Sequence, residues 1–327
     1  MKRNDTTAKT IFFHRQAEKS FVFLQKNLQK STFCRIVKNS KKNLLSKSKY
    51  NKLLFFFILY LNSIFCNISF IKSPLDKENS DSYRVCFWNV ANLSVKELKK
   101  EKKGTYIIKF INSCDIISFQ EVNAPDENIA IVFEDRLEKL GEPFICMEGN
   151  SKPKNDSNGF KYVSCIRAEL SNDIEKIEFE DINPAFKNAP TLFLMTLNDI
   201  KVLIAPYHST PGSKSDLIAF NSVVDFAYKN FSDRRIFFGG DFNTDKKYQS
   251  IDFLFSISYF IILKQMINGI TTLNNEKNDL ILTDPRTAMN CKGTIWKLNE
   301  IYPEIAVKKD LENISTHYPI SVDCLFK

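Results

Sequence analysis

Between Tyr83 and Phe326 short apolar runs alternate with amphipathic stretches, and this alternation constrains the fold more than any other feature of the sequence. The apolar runs have the length of buried strands. The stretches between them carry helix signals, such as the capping box formed by Ser94 and Glu97. Alternation of this kind is typical of α/β layers, with sheets inside and helices outside. No internal repeat interrupts it.

The pattern predicts individual elements along this region. Strands are expected at 83–90, 116–119, 144–147, 162–167, 192–197, 201–205, 235–238 and 320–326. Helices are expected at 94–111, 126–140 and 215–228. About 245 residues suit one domain of this class. We therefore predict a single α/β domain over 83–327.

The region before this domain has a different character. Residues 1–80 hold 16 Lys and Arg against 4 Asp and Glu, although the whole chain has a net charge of only +8. After a basic tail at 1–52, residues 53–71 are uncharged and mostly apolar, and a polar linker at 72–82 follows. A basic region followed by an apolar core predicts a signal peptide or a signal-anchor. Either would export the domain to the periplasm, the cell exterior or the outer side of a membrane.

Eight cysteines occur, and none is spaced as CxxC, which argues against a zinc ribbon or a thioredoxin-type site. Cys34 and Cys66 lie in the N-terminal segment. Six belong to the predicted domain: Cys86, Cys114, Cys146, Cys165, Cys291 and Cys324. Export would permit disulfides, and the spacing leaves their pairing open.

Polar side chains cluster where the predicted strands end, which is where functional groups gather in α/β sheets. The set comprises Asn89, Glu121, His208, Asp241, Asn243 and His317. Carboxylate and amide oxygens suit Mg²⁺, Mn²⁺ or Ca²⁺, and histidines can bind phosphate oxygens or transfer protons. The set therefore predicts metal-assisted phosphoester hydrolysis. The absence of P-loop, GxSxG and GxGxxG motifs weakens the nucleotide-triphosphatase, serine-hydrolase and Rossmann alternatives.

The order FWNV, SFQEV, PYHSTPG, GGDFNTD and STHYPI resembles that of the endonuclease/exonuclease/phosphatase superfamily, and of its deoxyribonuclease I-like branch in particular. The resemblance implies a four-layer α/β sandwich with the active site at one edge of two packed sheets. It implies that Glu121 binds the metal and that Asn89 supports the metal or the phosphate. Asp241 and Asn243 would orient water and phosphate, and His208 and His317 would stabilise the transition state and assist proton transfer.

Three positions depart from the pattern of this family. Thr316 stands where the family has Asp before the terminal His. For a second family Asp, either Thr294 stands at its position or the short segment that carried it has been lost. Phe160 replaces a Glu that pairs with the first His in deoxyribonuclease I itself. Two missing carboxylates would impair catalysis, since a carboxylate that orients a His can be worth about 10⁴ in turnover.

Three functions therefore remain open. The first is an exported metal-dependent nuclease that acts on DNA as a monomer. The second is a catalytically impaired relative that binds a phosphate ligand or a partner. The third is a phosphatase or phospholipase-type enzyme, for which the membrane-proximal N-terminal segment would be equally suitable. A nuclease should have a positive groove beside its site, with candidate residues Lys152, Lys154, Lys161, Lys214, Lys246 and Lys247.

Overall fold

The structure is a computed structural model that describes the following residues: 75, 77, 79, 81–99, 101–124, 128–150, 160–171, 173–177, 179, 186, 189–244, 261–262, 269–305 and 307–326. The basic tail at 1–52 and the apolar segment at 53–71 lie outside them, so the signal or anchor stays a prediction. None of the helices that the structure describes is long and apolar enough to cross a membrane.

The described elements follow the predicted alternation. The strands are β1 Tyr83–Ser94, β2 Ile116–Asn123, β3 Phe144–Asn150, β4 Lys161–Arg167, β5 Ile174–Ile177, β6 Leu192–Leu197, β7 Ile200–His208, β8 Arg235–Asp241, β9 Ile261–Ile262, β10 Asp279–Thr283, β11 Cys291–Ile295 and β12 Ile320–Cys324. The helices are α1 Val95–Lys99, α2 Glu101–Ile111, α3 Ile129–Glu138, α4 Lys214–Phe231, α5 Pro285–Ala288, α6 Leu298–Ile301 and α7 Lys308–Glu312.

The strands form two six-stranded sheets. Sheet A has the order β11–β12–β1–β2–β4–β3, and sheet B has the order β5–β6–β7–β8–β10–β9. β1 runs parallel to β2 in sheet A, and β7 runs parallel to β8 in sheet B. These two central pairs bring the carboxyl ends of four strands together, and those ends carry the polar residues that the sequence singles out.

Two apolar clusters hold the layers together. One lies between the sheets and continues under α4, where Phe220 packs on Phe238 of β8. The other lies between sheet A and the helices α2 and α3, with Trp88 against Phe110. The mixed α/β architecture with two sheets is confirmed, and its layers follow the order helix, sheet, sheet, helix.

The sheets approach each other closely at the end of β8. A Cβ on Gly239 would collide with the Phe87 ring of sheet A. A Cβ on Gly240 would collide with the Gln120 side chain of sheet A and with the carbonyl oxygen of Tyr207 on the neighbouring strand β7. Gly240 also has a φ of +131°, which L side chains rarely adopt. The two glycines of GGD therefore let sheet B pack against sheet A just below Asp241.

The predicted elements are confirmed with shifted ends, and the capping box is confirmed as well. The amide N–H of Glu97 donates to Ser94 Oγ, and the Glu97 carboxylate accepts from the Ser94 amide. The helix predicted at 94–111 is instead recorded as two pieces, α1 and α2. Several short elements were not predicted: β5, β9, β10, β11, α5, α6 and α7.

All six cysteines of the domain form disulfides: Cys86 with Cys114, Cys146 with Cys165, and Cys291 with Cys324. The last two pairs face each other across β3–β4 and across β11–β12. The first pair ties β1 to the turn that precedes β2. All three disulfides therefore stabilise sheet A.

Candidate active site

Three polar residues stand side by side across sheet B. His208 of β7 is opposite Asp241 of β8, and Asp241 is opposite Asp279 of β10. Directly opposite residues in a sheet project from the same face. The register of three strands thus places one imidazole and two carboxylates in a row, and Asp241 and Asp279 are 2% and 1% exposed.

Sheet A contributes an amide and a third carboxylate to the same place. Asn89 is fully buried at the end of the regular part of β1, and its Nδ2 donates to Glu121 Oε1 at 2.9 Å and to Asp241 Oδ2 at 3.1 Å. The amide orientation is fixed because Asn89 Oδ1 accepts from the Ala91 N–H. Asn89 therefore presents a donor to both carboxylates. In this orientation it does not offer the oxygen that a metal ligand needs.

Irregularities in β1 and β2 orient the side chains of Asn89 and Glu121. The pairing of β1 with β2 shifts between Asn89 and Leu93, and the pairing of β2 with β4 shifts between Phe119 and Val122. Glu121 lies in the second bulge with a φ of +57°, the left-handed region that non-glycine residues seldom occupy. Bulges commonly redirect side chains next to active sites. Glu121, which lies in this bulge, is the residue that accepts the hydrogen bond from Asn89.

The second histidine comes from the segment before β12. His317 Nδ1 lies 2.9 Å from Asp279 Oδ2, and His317 Nε2 lies 3.6 Å from Asp241 Oδ2. The Trp88 indole donates to the His317 carbonyl at 3.0 Å and helps to hold this segment. On the other side, His208 Nε2 is 3.3 Å from Glu121 Oε1 and 3.7 Å from Asp241 Oδ2. Both imidazoles therefore converge on one carboxylate oxygen.

Asn243 secures the loop that follows β8. Its main-chain N–H donates to Asp241 Oδ1 at 2.9 Å, and its side-chain amide donates to the Ser209 carbonyl at 2.8 Å. Its φ of +47° is again left-handed. One oxygen of Asp241 is thus held by its own loop, while the other faces Asn89 and the two histidines.

The charges of the site shift two pKa values. Burial raises the pKa of Asp241, and Asp279 adds to this effect, whereas His317 and His208 oppose it. Burial alone would lower the pKa of His317, but Asp279 and Asp241 outweigh burial and raise it to about 10. His317 is therefore a stable cation at neutral pH in the metal-free protein.

The donor set fits a divalent cation. Ligand atoms of Glu121, His208 and Asp241 lie within 4.8 Å of one another, as do those of Asp241, Asp279 and His317. Carboxylate oxygens are the ligands preferred by hard cations such as Mg²⁺, Mn²⁺ and Ca²⁺. A cation beside Asp241 would also offset the unfavourable burial of its charge.

Comparison with known proteins gives relatives in one superfamily. No family model matches the sequence. Deoxyribonuclease-1-like 1 of Mus musculus is 24% identical over 170 residues, which make up 51% of this chain and 54% of the relative. The Bos taurus protein of the same name is 25% identical over 178 residues, with the same shares. The chain thus spans about half the length of the curated relatives that it matches.

Solved structures share the fold. The endonuclease/exonuclease/phosphatase family protein of Leptotrichia buccalis superposes with a TM-score of 0.54, covering 75% of this chain and all of that one at 15% identity. The fold is therefore that of endonuclease/exonuclease/phosphatase family proteins, and about half of the sequence is similar to deoxyribonuclease-1-like 1. The human Nocturnin catalytic domain also superposes, with a TM-score of 0.53 and 15% identity over 77% of this chain and 98% of that one.

One carboxylate of the site was not singled out by the sequence analysis. Asp279 Oδ2 lies 2.9 Å from His317 Nδ1, so this histidine has an acidic partner on β10. Thr294 lies on β11 of sheet A, opposite Ser321 of β12, whereas Asp279 lies on β10 of sheet B.

Close to Phe160, where the family Glu is missing, another residue contacts His208. The sequence analysis did not single it out. Two positions later, the fully buried Tyr162 reaches from β4 to β7, where its hydroxyl accepts from the His208 main-chain N–H at 3.1 Å. Burial raises the pKa of Tyr162, so this phenol stays neutral. No sequence signal distinguished Tyr162 from an ordinary core tyrosine.

Of the six lysines proposed to line a positive groove, the structure describes the side chain of Lys161 alone. Lys161 pairs with Glu148 at 2.7 Å, so part of its charge is already compensated. The side chain of Lys214 and the remaining candidates, Lys152, Lys154, Lys246 and Lys247, lie outside what the structure describes.

Proposed function

We propose that this chain is a divalent-metal-dependent phosphodiesterase that hydrolyses phosphodiester bonds in DNA. The observation that carries the proposal is the convergence of two imidazoles and the Asn89 amide on one oxygen of Asp241, with Glu121 and Asp279 beside it. General acid–base groups, charge stabilisers and a cation site are thereby combined within a few ångströms, which phosphoester hydrolysis requires.

The roles of the proton-transferring residues follow from their contacts. Asp241 Oδ2, on which the Asn89 amide and both imidazoles converge, would orient an attacking water and accept its proton. His317, kept protonated by Asp279, contributes a fixed positive charge that stabilises the additional negative charge of the transition state. His208 Nε2 is the donor available to a phosphate or leaving oxygen on the opposite side of Asp241.

The cation would be held by Glu121 with Asp241, and Mg²⁺ or Mn²⁺ fits these oxygens best. When bound, it would polarise the phosphate and stabilise the developing charge. Asn89 would orient both carboxylates through its Nδ2, and Asn243 would hold the remaining oxygen of Asp241 in place.

The names of the relatives favour DNA as substrate, because two of them are deoxyribonuclease-1-like proteins. The three disulfides favour an exported protein, since such bonds persist in oxidising compartments. Attachment to a membrane through residues 53–71 and a monomeric state belong to the same proposal.

The proposal is tested by incubating the purified protein with supercoiled plasmid in Mg²⁺, Mn²⁺ or EDTA. A variant carrying both His208→Ala and His317→Ala controls for contaminating nucleases. We expect nicking that needs the metal and disappears in the double variant. Wild-type protein that cleaves no DNA with any metal would overturn DNA as the substrate and direct the search to small and lipid phosphoesters.

Thr316 is the one observation that favours an impaired relative. The superfamily resemblance implies that a carboxylate at this position helps to hold the histidine or to bind the metal, so we expect Thr316→Asp to tighten Mn²⁺ binding by about tenfold or more, roughly 1.4 kcal/mol. If Thr316→Asp restored nicking to an inactive wild type, the impaired alternative would be correct.

A further inference from the structure

We propose that Ser315 is a positioning residue of the active site, because its hydroxyl joins the main chain of Asn89 to that of His317. Ser315 Oγ donates to the Asn89 carbonyl at 2.7 Å and accepts from the His317 N–H at 2.9 Å. The residue is fully buried. Its one hydroxyl is thus used both as donor and as acceptor. The inference rests on the proposed phosphodiesterase function.

The two partners of Ser315 act on opposite sides of the same carboxylate. The Asn89 side chain donates to Asp241 Oδ2 at 3.1 Å, and His317 Nε2 approaches the same oxygen to 3.6 Å. A shift in either main chain would therefore change the surroundings of the oxygen that we expect to accept a proton. Ser315 fixes both positions relative to each other.

The main chains of Asn89 and His317 are not joined by regular strand pairing. The pairing of β1 with β12 ends at Phe87 and Ile320, two residues before Asn89 and three after His317. The register of β1 against β2 also breaks directly after Asn89. Beyond the end of the ladder, the hydroxyl of Ser315 provides the direct link between the Asn89 and His317 main chains.

A residue that positions others should act on turnover more than on stability or substrate binding. Misplacing reacting groups by about 1 Å can lower the rate by about 10²-fold. Ser315→Ala leaves a buried carbonyl and a buried N–H without their partner and removes the direct link between the two main chains, while the Trp88 indole still holds the His317 carbonyl. We expect kcat to fall by about 10²-fold and KM to change by less than about threefold.

The experiment compares Ser315 with Ser321, a second buried serine whose hydroxyl is hydrogen-bonded. Ser321 is also fully buried and its Oγ accepts from the Trp296 indole at 2.8 Å, but it touches neither Asn89 nor His317 through this bond. Ser321→Ala should lower the melting temperature about as much as Ser315→Ala and leave kcat close to that of the wild type. Ser315→Thr keeps the hydroxyl and should recover most of the lost turnover.

Turnover is measured with plasmid and with bis(p-nitrophenyl) phosphate, and Mn²⁺ binding is measured separately by calorimetry. Ser315→Ala should bind Mn²⁺ more weakly than Ser321→Ala, because Asn89 orients the carboxylates. Equal kcat losses in both alanine variants, or wild-type kcat in Ser315→Ala, would overturn the inference. If Ser315→Ala does not fold, Ser315→Cys gives the same comparison with a weak donor.

Failure of the proposed function is distinguishable from failure of this inference. If the wild type hydrolyses neither substrate, the phosphodiesterase proposal fails, and Ser315 is judged by Mn²⁺ binding alone. In that case unchanged Mn²⁺ affinity in Ser315→Ala would overturn the positioning role, and weakened affinity would support it.

Discussion

Asp279 determines the state of His317. The two side chains meet at 2.9 Å, and the carboxylate is almost fully buried, so little water screens the pair. The pattern Asn-Asp-Leu-Ile-Leu contains the only available signal, an acidic residue directly before an apolar run. The TIW sequence around Thr294 resembles the family segment more closely, so the sequence pattern favours Thr294 over Asp279.

We predict that Asp279→Asn lowers turnover by about 10²- to 10⁴-fold, since it removes the charge that keeps His317 oriented and protonated. Thr294→Ala is the control, because the alternative alignment assigns the role to that position. Steady-state phosphodiester hydrolysis by the two variants decides between them. Similar losses in both, or a loss confined to Thr294→Ala, would contradict the role of Asp279.

A second prediction concerns pH and stability in the metal-free protein. The pKa of His317 is about 10 when folded, against about 6.5 when unfolded, so protonation favours the folded state. This contribution is complete below about pH 6.5 and is lost as the pH rises towards 10.

Urea unfolding in EDTA between pH 6 and pH 10 measures the effect. The free energy of unfolding of the wild type should fall more steeply with pH than that of His317→Gln, because lysines and tyrosines titrate alike in both proteins. Parallel curves for the two proteins would show that His317 carries no such shift.

At the scale of elements, the long strands were predictable and the short ones were not. β1, β7 and β8 combine an apolar run with a polar residue at its end, so their position and the site residues Asn89, His208 and Asp241 could be predicted. β10 has only five residues, all buried, and offers no alternation to separate it from a loop or a helix. The contacts among the site residues depend on register and bulges, which local sequence patterns do not encode.

The close approach of the sheets at β8 gives a third prediction. Gly239→Ala would push a methyl group into the Phe87 ring, so we expect it to destabilise the fold by about 1–3 kcal/mol. Adding Phe87→Leu should recover part of this loss, and chemical denaturation of both single variants and the double variant measures the coupling. Additive losses would mean that Gly239 is required for a reason other than this contact.

At the scale of the whole molecule, covalent cross-links are distributed unevenly. All three disulfides lie in or beside sheet A, whereas His208, Asp241 and Asp279 stand on sheet B. Among the described residues, sheet B is therefore held by non-covalent contacts and has no disulfide of its own.

We predict that replacing either cysteine pair of an edge hairpin by alanines lowers the free energy of unfolding by about 2–4 kcal/mol. The pairs close loops of 19 residues for Cys146–Cys165 and 33 residues for Cys291–Cys324, so the second loss should be larger by only about 0.5 kcal/mol. Guanidinium unfolding of the two double variants, with and without a reductant, checks this. A reductant that leaves the wild type unaffected would contradict the prediction.

Four non-glycine residues near the site adopt left-handed backbone: Ala91, Asn92, Glu121 and Asn243. Conformations of this kind cost about 1–3 kcal/mol each and persist where the surrounding structure enforces them. A glycine at position 121 would relax the backbone and remove the carboxylate in one step. A library of variants screened only for heat resistance would therefore favour sequences without the reactive carboxylate, whereas a screen for phosphodiester cleavage would retain it despite its strain.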